Sequence, residues 1–140
     1  MSNLKNPWRP FAAVACLSLL VACSSHDIYV DVPANNHFMM MTSTAGNVLA
    51  TPTGMTLYTF DKDTAGHSNC YADCAQAWPP MLGDSGSKPA GNLTLVPRSD
   101  GSMQWAIDDK PLYTFVQDKR PGEVKGENFR NVWHVVHVQQ

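Results

Sequence analysis

The chain has 140 residues, 12 acidic against 10 basic, a formal net charge of -2, and 44% hydrophobic with 16% charged residues. That length holds one domain with a modest core and leaves no room for two enzyme domains around a cleft. The charge balance excludes a disordered acidic tail and a basic nucleic-acid binder, so no nucleic-acid partner is expected.

The N-terminus places Lys5 and Arg9 ahead of an apolar run from Phe11 to Ala22, followed by Cys23-Ser24-Ser25. A basic region before so short an apolar stretch reads as a secretory signal, not a membrane-spanning helix. Leu20-Val21-Ala22-Cys23 resembles a bacterial lipobox, in which residues 1–22 are cleaved and Cys23 becomes the acylated, palmitate-bearing first residue. The alternatives are an uncleaved anchor or a conventional cleavage site. Lipid at Cys23 would attach the domain to a membrane without spanning it. In the Gram-negative lipoproteins that this N-terminus resembles, Ser24 in place of Asp implies an outer-membrane lipoprotein facing the periplasm or the surface.

Processing changes what the four cysteines mean. Cys16 leaves with the signal and Cys23 takes lipid, so Cys70 and Cys74 are the pair free to react with each other. In an exported protein the default for such a pair is a disulfide. It would close a loop of a few residues and constrain local geometry more than the whole chain.

Residues 23–37 carry Asp27, Asp31, Pro33, Asn35 and Asn36 without periodicity and read as a lipidated terminus and linker. Residues 38–140 read as a mainly β, small antiparallel domain with one short helix. Strands are predicted at Phe38–Ser43, Asn47–Thr51, Met55–Phe60, Leu93–Arg98, Met103–Ile107, Leu112–Val116 and Val132–Val138. Turn chemistry marks hairpins at residues 51–54, 99–102 and 108–111, a helix is predicted over Cys70–Ala77, and Gly83–Asn92 reads as a surface loop.

The chain also repeats itself. Leu57-Tyr58-Thr59-Phe60-Asp61-Lys62-Asp63 matches Leu112-Tyr113-Thr114-Phe115-Val116-Gln117-Asp118, and twenty positions beyond each tyrosine stands a tryptophan, Trp78 and Trp133. The domain therefore reads as two pseudo-repeated halves. At these residues, together with Cys74-Ala-Gln-Ala-Trp-Pro-Pro80, Asp100-Gly101 and Pro121-Gly122, it resembles the bacterial lipoproteins with a repeated Tyr-x-(Phe/Trp/Tyr)-x-x-Asp motif, a secreted repeat of unknown function. The resemblance implies an exported, frequently lipidated domain and no established reaction.

Strand alternation puts Tyr58 and Phe60 on one face, and Tyr113 with Phe115, as core aromatics. Asp63 and Asp118 fall just past the strand ends, where a carboxylate accepts hydrogen bonds from turn amides. The functional alternative is that these tyrosines and aspartates line a groove for a small-molecule or protein partner. Asp61-Lys-Asp63-Thr-Ala-Gly66 departs from a calcium loop at Ala65 and Ala72.

His67, Cys70 and Cys74 could hold a soft cation such as copper, with thioethers from Met39, Met40, Met41, Met55, Met81 and Met103. That set defines the alternative of a periplasmic copper or thiol-redox protein. Methionines in strands more often fill irregular core space, and His134 and His137 fit a partly exposed strand face. Lys119, Arg120, Lys125 and Arg130 are interleaved with Asp118, Glu123 and Glu127, which suits a solvated loop. The residues point to an exported binding or structural module without assigned cofactor or catalytic residue.

Overall fold

The computed structural model describes residues 29–30 and 36–139; the signal segment and Cys23 lie outside the described residues. The strands in chain order are β1 (Tyr29–Val30), β2 (Met39–Ser43), β3 (Gly46–Ala50), β4 (Tyr58–Phe60), β5 (Leu93–Pro97), β6 (Met103–Ile107), β7 (Lys110–Pro111), β8 (Trp133–Val135) and β9 (His137–Val138). They form a four-stranded sheet in the order β1-β9-β3-β2, a two-stranded β4-β8 sheet and a three-stranded β5-β6-β7 sheet. Apart from the parallel β1-β9 contact, the paired strands described here are antiparallel.

Turn residues set the hairpins. Gly54, at φ 83°, donates its N–H to Thr51 O at 2.8 Å. The β5-β6 turn closes with Arg98 N–H on Ser102 O at 2.9 Å. Between β6 and β7, Asp108 and Asp109 both take positive φ, 46° and 61°, as a two-residue hairpin whose twist matches its strands requires.

The duplication is visible in the backbone. Leu49 N–H donates to Val136 O and Leu57 N–H to Leu49 O; in the second half Trp105 N–H donates to Met81 O and Leu112 N–H to Trp105 O, all at 2.8–2.9 Å. The two halves meet where Tyr58 N–H donates to Tyr113 O at 2.8 Å and Tyr113 N–H returns a bond to Tyr58 O at 3.0 Å.

The predicted strand Met55–Phe60 shortens to Tyr58–Phe60, with Thr56 making an isolated bridge to Ala50, and three further predicted elements differ. Residues 112–116 form no continuous strand: Tyr113 bridges Tyr58 on one side and Pro80 on the other. Pro79 and Pro80 carry no N–H, so only their side of the ladder that accepts is available, as in Thr114 N–H to Pro79 O at 2.9 Å. The C-terminal strand breaks at Val136, which donates to Leu57 O and accepts from Leu49 N–H, transferring the chain from β4 to β3. Helix α1 spans only Asp73–Ala77, because Ala72 sits at φ 48°, ψ -125°, outside helical space.

The predicted linker also contains structure: Tyr29–Val30 pairs with β9, and Val30 is 2% exposed. One core cluster gathers Val30, Phe38, Leu49, Leu57, Trp105, Leu112 and Val136. A second gathers Val48, Tyr58, Cys70, Trp78, Tyr113, Phe115, Trp133 and Val135, and holds most of the repeated motif.

Candidate functional site at the junction of the halves

Strand alternation alone would leave each motif tyrosine inside its own half. The fold instead crosses the halves. Tyr58 Oη donates to Asp118 Oδ2 at 2.7 Å, and Tyr113 Oη donates to Asp63 Oδ2 at 2.7 Å. The second oxygen of each carboxylate accepts a turn amide: Asp63 Oδ1 from Asn69 N–H at 2.7 Å, Asp118 Oδ1 from Lys125 N–H at 2.9 Å. Each aspartate thereby fixes its own loop and holds the other half's tyrosine.

The rings cross in the same way. Phe60 stacks on Trp133 at 4.2 Å, Trp133 on Trp78 at 3.8 Å with planes 3° apart, and Trp78 on Phe115 at 4.0 Å. Tyr58 stands edge-on to Trp78 at 5.4 Å and Tyr113 edge-on to Trp133 at 5.2 Å. Offset and edge-to-face ring pairs are each worth about 0.5–1.5 kcal/mol beyond their buried area. The four-ring stack joins the halves through three contacts, each between rings of different halves.

Burial decides the titration of this cluster. Asp63 and Asp118 are both raised above the ordinary carboxylate range by desolvation, with the tyrosine hydroxyls and the Asn69 and Lys125 amides pulling the other way. Tyr58 and Tyr113 are raised far above the ordinary phenol range, first by burial and further by the carboxylate each one faces, although Ser68 opposes part of the rise at Tyr113. Both phenols stay protonated donors.

The halves diverge around this shared centre. In the first half Cys70 and Cys74 form a disulfide. Buried Arg98 donates to Ser68 Oγ at 3.0 Å, Gln104 Oε1 at 2.6 Å and Cys70 O at 2.9 Å, and its guanidinium lies 4.4 Å over the Tyr71 ring. Tyr113 Oη also reaches Ser68 Oγ at 2.7 Å, so Asp63, Tyr113, Ser68, Arg98 and Gln104 form one network. In the second half Phe129 packs beside Trp78 and Phe115, and Glu127 Oε2 accepts Val135 N–H at 2.6 Å. The repeat places Pro80 opposite Val135, and a proline needs no such acceptor.

Ser68, Arg98, Gln104, Glu127 and Phe129 carry no repeat signature and escape a reading by periodicity. Only Glu127 leaves a trace, through the Pro80–Val135 mismatch in the repeat register.

The metal alternative requires two thiolates, and the disulfide removes both. His67 is exposed with Nδ1 2.9 Å from Ala65 O, while Met41 and Met81 pack against the core clusters and Met39, Met40 and Met103 are exposed. Among the described residues no group of three or more His, Cys, Asp or Glu side chains gathers as a metal site. Asp61 turns to His134 Nε2 at 2.8 Å, away from the tyrosine that Asp63 holds. Beside them a cleft of about 240 Å³ is lined by Phe60, Asp61, Asp63, Thr64, Asp108 and Lys110.

Residues 39–81 and 94–137, which are the two halves, match the model of a family described as a secreted repeat of unknown function. No curated protein and no solved structure matches the chain. Among the described residues no helix is long and apolar enough to cross a membrane.

Proposed function

We propose that this chain, which belongs to the family of secreted repeats of unknown function, is an outer-membrane lipoprotein anchored through Cys23 and works as a binding or structural module. The observation that carries the module reading is the crossed pairing: the motif's tyrosines and aspartates have their hydroxyls and carboxylates committed to each other and to loop amides. Groups so used close two halves into one scaffold, and recognition of a partner falls to the surrounding surface. Leu20-Val21-Ala22-Cys23 supports the anchor.

Labelled palmitate fed to cells making the protein tests the anchor. Label should appear in the wild-type chain, follow the outer-membrane fraction and vanish in Cys23→Ala. A wild-type chain that is exported and carries no acyl group would sink the anchor reading. The module reading predicts that a crosslinked envelope partner is retained by Asp118→Asn, which alters the motif, with the fold of the variant checked by circular dichroism. Loss of the partner with the fold intact would instead put the motif itself in the binding site.

A further inference from the structure

Tyr29 follows Cys23 by six positions, and Tyr29–Val30 is built into the four-stranded sheet. Tyr29 pairs with His137 and Val30 with Val138, Gln139 N–H donates to Val30 O at 3.2 Å, and Val30 is buried in the cluster that holds Phe38, Val136 and Val138. We propose that β1 is a strap that holds the domain against the bilayer carrying its lipid, with the β1-β9 edge as the membrane-side edge. The inference rests on acylation of Cys23 and adds the partner surface to that reading.

Covalent geometry sets the limit whatever path the intervening residues take. Six Cα steps reach roughly 20 Å at full extension, whereas the fifteen steps from Cys23 to Phe38 would reach roughly 50 Å with β1 released. A domain of about 100 residues has a radius of gyration near 13 Å, so the strapped domain cannot rise from its membrane by more than about its own width. Partners must therefore come within about that gap plus the width of the domain from the membrane. The strand order puts β2 at the far edge of the sheet, three strand spacings or about 14 Å from β1, and keeps β9 beside β1.

Neutron reflectometry on a supported bilayer of phosphatidylethanolamine and phosphatidylglycerol, loaded with the purified lipidated chain, reads the height of the protein layer. The expected profile is a dense layer whose hydrated gap above the headgroups is no wider than about 20 Å. Val30→Asp, which places a carboxylate at a buried position, should free β1 and move the layer outward by up to roughly 30 Å. Twelve Gly and Ser residues inserted between Ser25 and His26 should also move it outward, without touching the folded domain.

Equal heights for the wild type and the insertion variant would overturn the strap, as would a wild-type gap near the released limit. If the purified chain forms no layer, the acylation reading has failed; the same chain coupled through its Cys23 thiol to a maleimide lipid then decides the strap by the same heights.

Discussion

Tyr58 Oη and Asp118 Oδ2 lie 2.7 Å apart although sixty positions separate them, and the equivalent bond joins Tyr113 to Asp63. The motif that makes the halves alike is completed only when they meet. Tyr58→Phe removes the donor and leaves Asp118 with the Lys125 amide alone. Leaving a buried acceptor short of a partner costs about 1–3 kcal/mol, more for a charged group. Urea unfolding of Tyr58→Phe, Asp118→Asn and the double variant should give a coupling energy of about 1 kcal/mol or more. Additive losses would mean that the pair does not join the halves energetically.

The same carboxylates set an acid response opposite to that of a surface salt bridge. Burial raises Asp63 and Asp118 above their unfolded value of 3.8, so between the unfolded and folded pKa values the native state holds more protons than the unfolded chain. Stability from these groups therefore falls as pH rises through that window and is regained on acidification. Glu123 works the other way. Lys119 N–H, Lys125 and Arg120 lower it from 4.5 to about 2, so its contribution is present above 4.5 and lost as pH falls toward 2. Denaturant midpoints measured from pH 7 to pH 3 should lose the downward slope with pH in Asp63→Asn/Asp118→Asn, while Glu123→Gln should lose the acid-side drop.

Much of this centre is legible in one sequence, since duplication marks Tyr58, Asp63 and Trp78 by their counterparts Tyr113, Asp118 and Trp133. Crossing is not legible. Alternation and turn chemistry describe the geometry of one strand and its own loop, whereas the choice of Asp118 for Tyr58 depends on how two finished halves pack. The β hairpins are readable for the same local reason, from Gly54, Gly101 and Asp108-Asp109. Residues 112–116 mislead because their apolar pattern is that of a strand while their neighbours, Pro79 and Pro80, cannot donate to a ladder. Tyr29–Val30 is too short for any periodicity to register; its place comes from pairing with His137–Val138 and from the cluster that buries Val30.

The disulfide lies in the first half and has no counterpart in the second. Cys70 O receives Arg98 Nη2, so the bridge to Cys74 also steadies the loop that holds Ser68 against Tyr113. Closing so short a loop is worth about 2 kcal/mol by chain entropy. Reduction should add 2 Da to the intact mass, lower the unfolding free energy obtained from urea titration by that order, and leave the far-ultraviolet spectrum of the β sheets in place. Cys70→Ser/Cys74→Ser should behave as the reduced protein does. A midpoint unchanged on reduction would show that the loop is held by Arg98 and Asp63 without the bridge.

Gly126 marks how closely the second half's loop approaches the ring stack. Its N–H donates to Tyr58 Oη at 3.3 Å, and a Cβ there would lie 2.7 Å from Trp78 Cη2 and 2.9 Å from Tyr58 Cε1. Trp78 is stacked between Trp133 and Phe115 and Tyr58 stands edge-on to it, so the two rings have little room to turn aside. Gly126→Ala must push the 124–128 loop outward or disturb the stack, at about 1–3 kcal/mol, the range found for overpacked cores. Gly91→Ala gives the cost of a left-handed backbone without a clash, since a Cβ there meets nothing within 4 Å while its φ is 61°, a strain that Gly126 does not carry. If Gly126→Ala unfolds at the wild-type urea concentration, the loop is slack and Tyr58 does not depend on its amide. A loss larger than that of Gly91→Ala, with a shifted near-ultraviolet signal from Trp78 and Trp133, is the outcome that ties the loop to the junction.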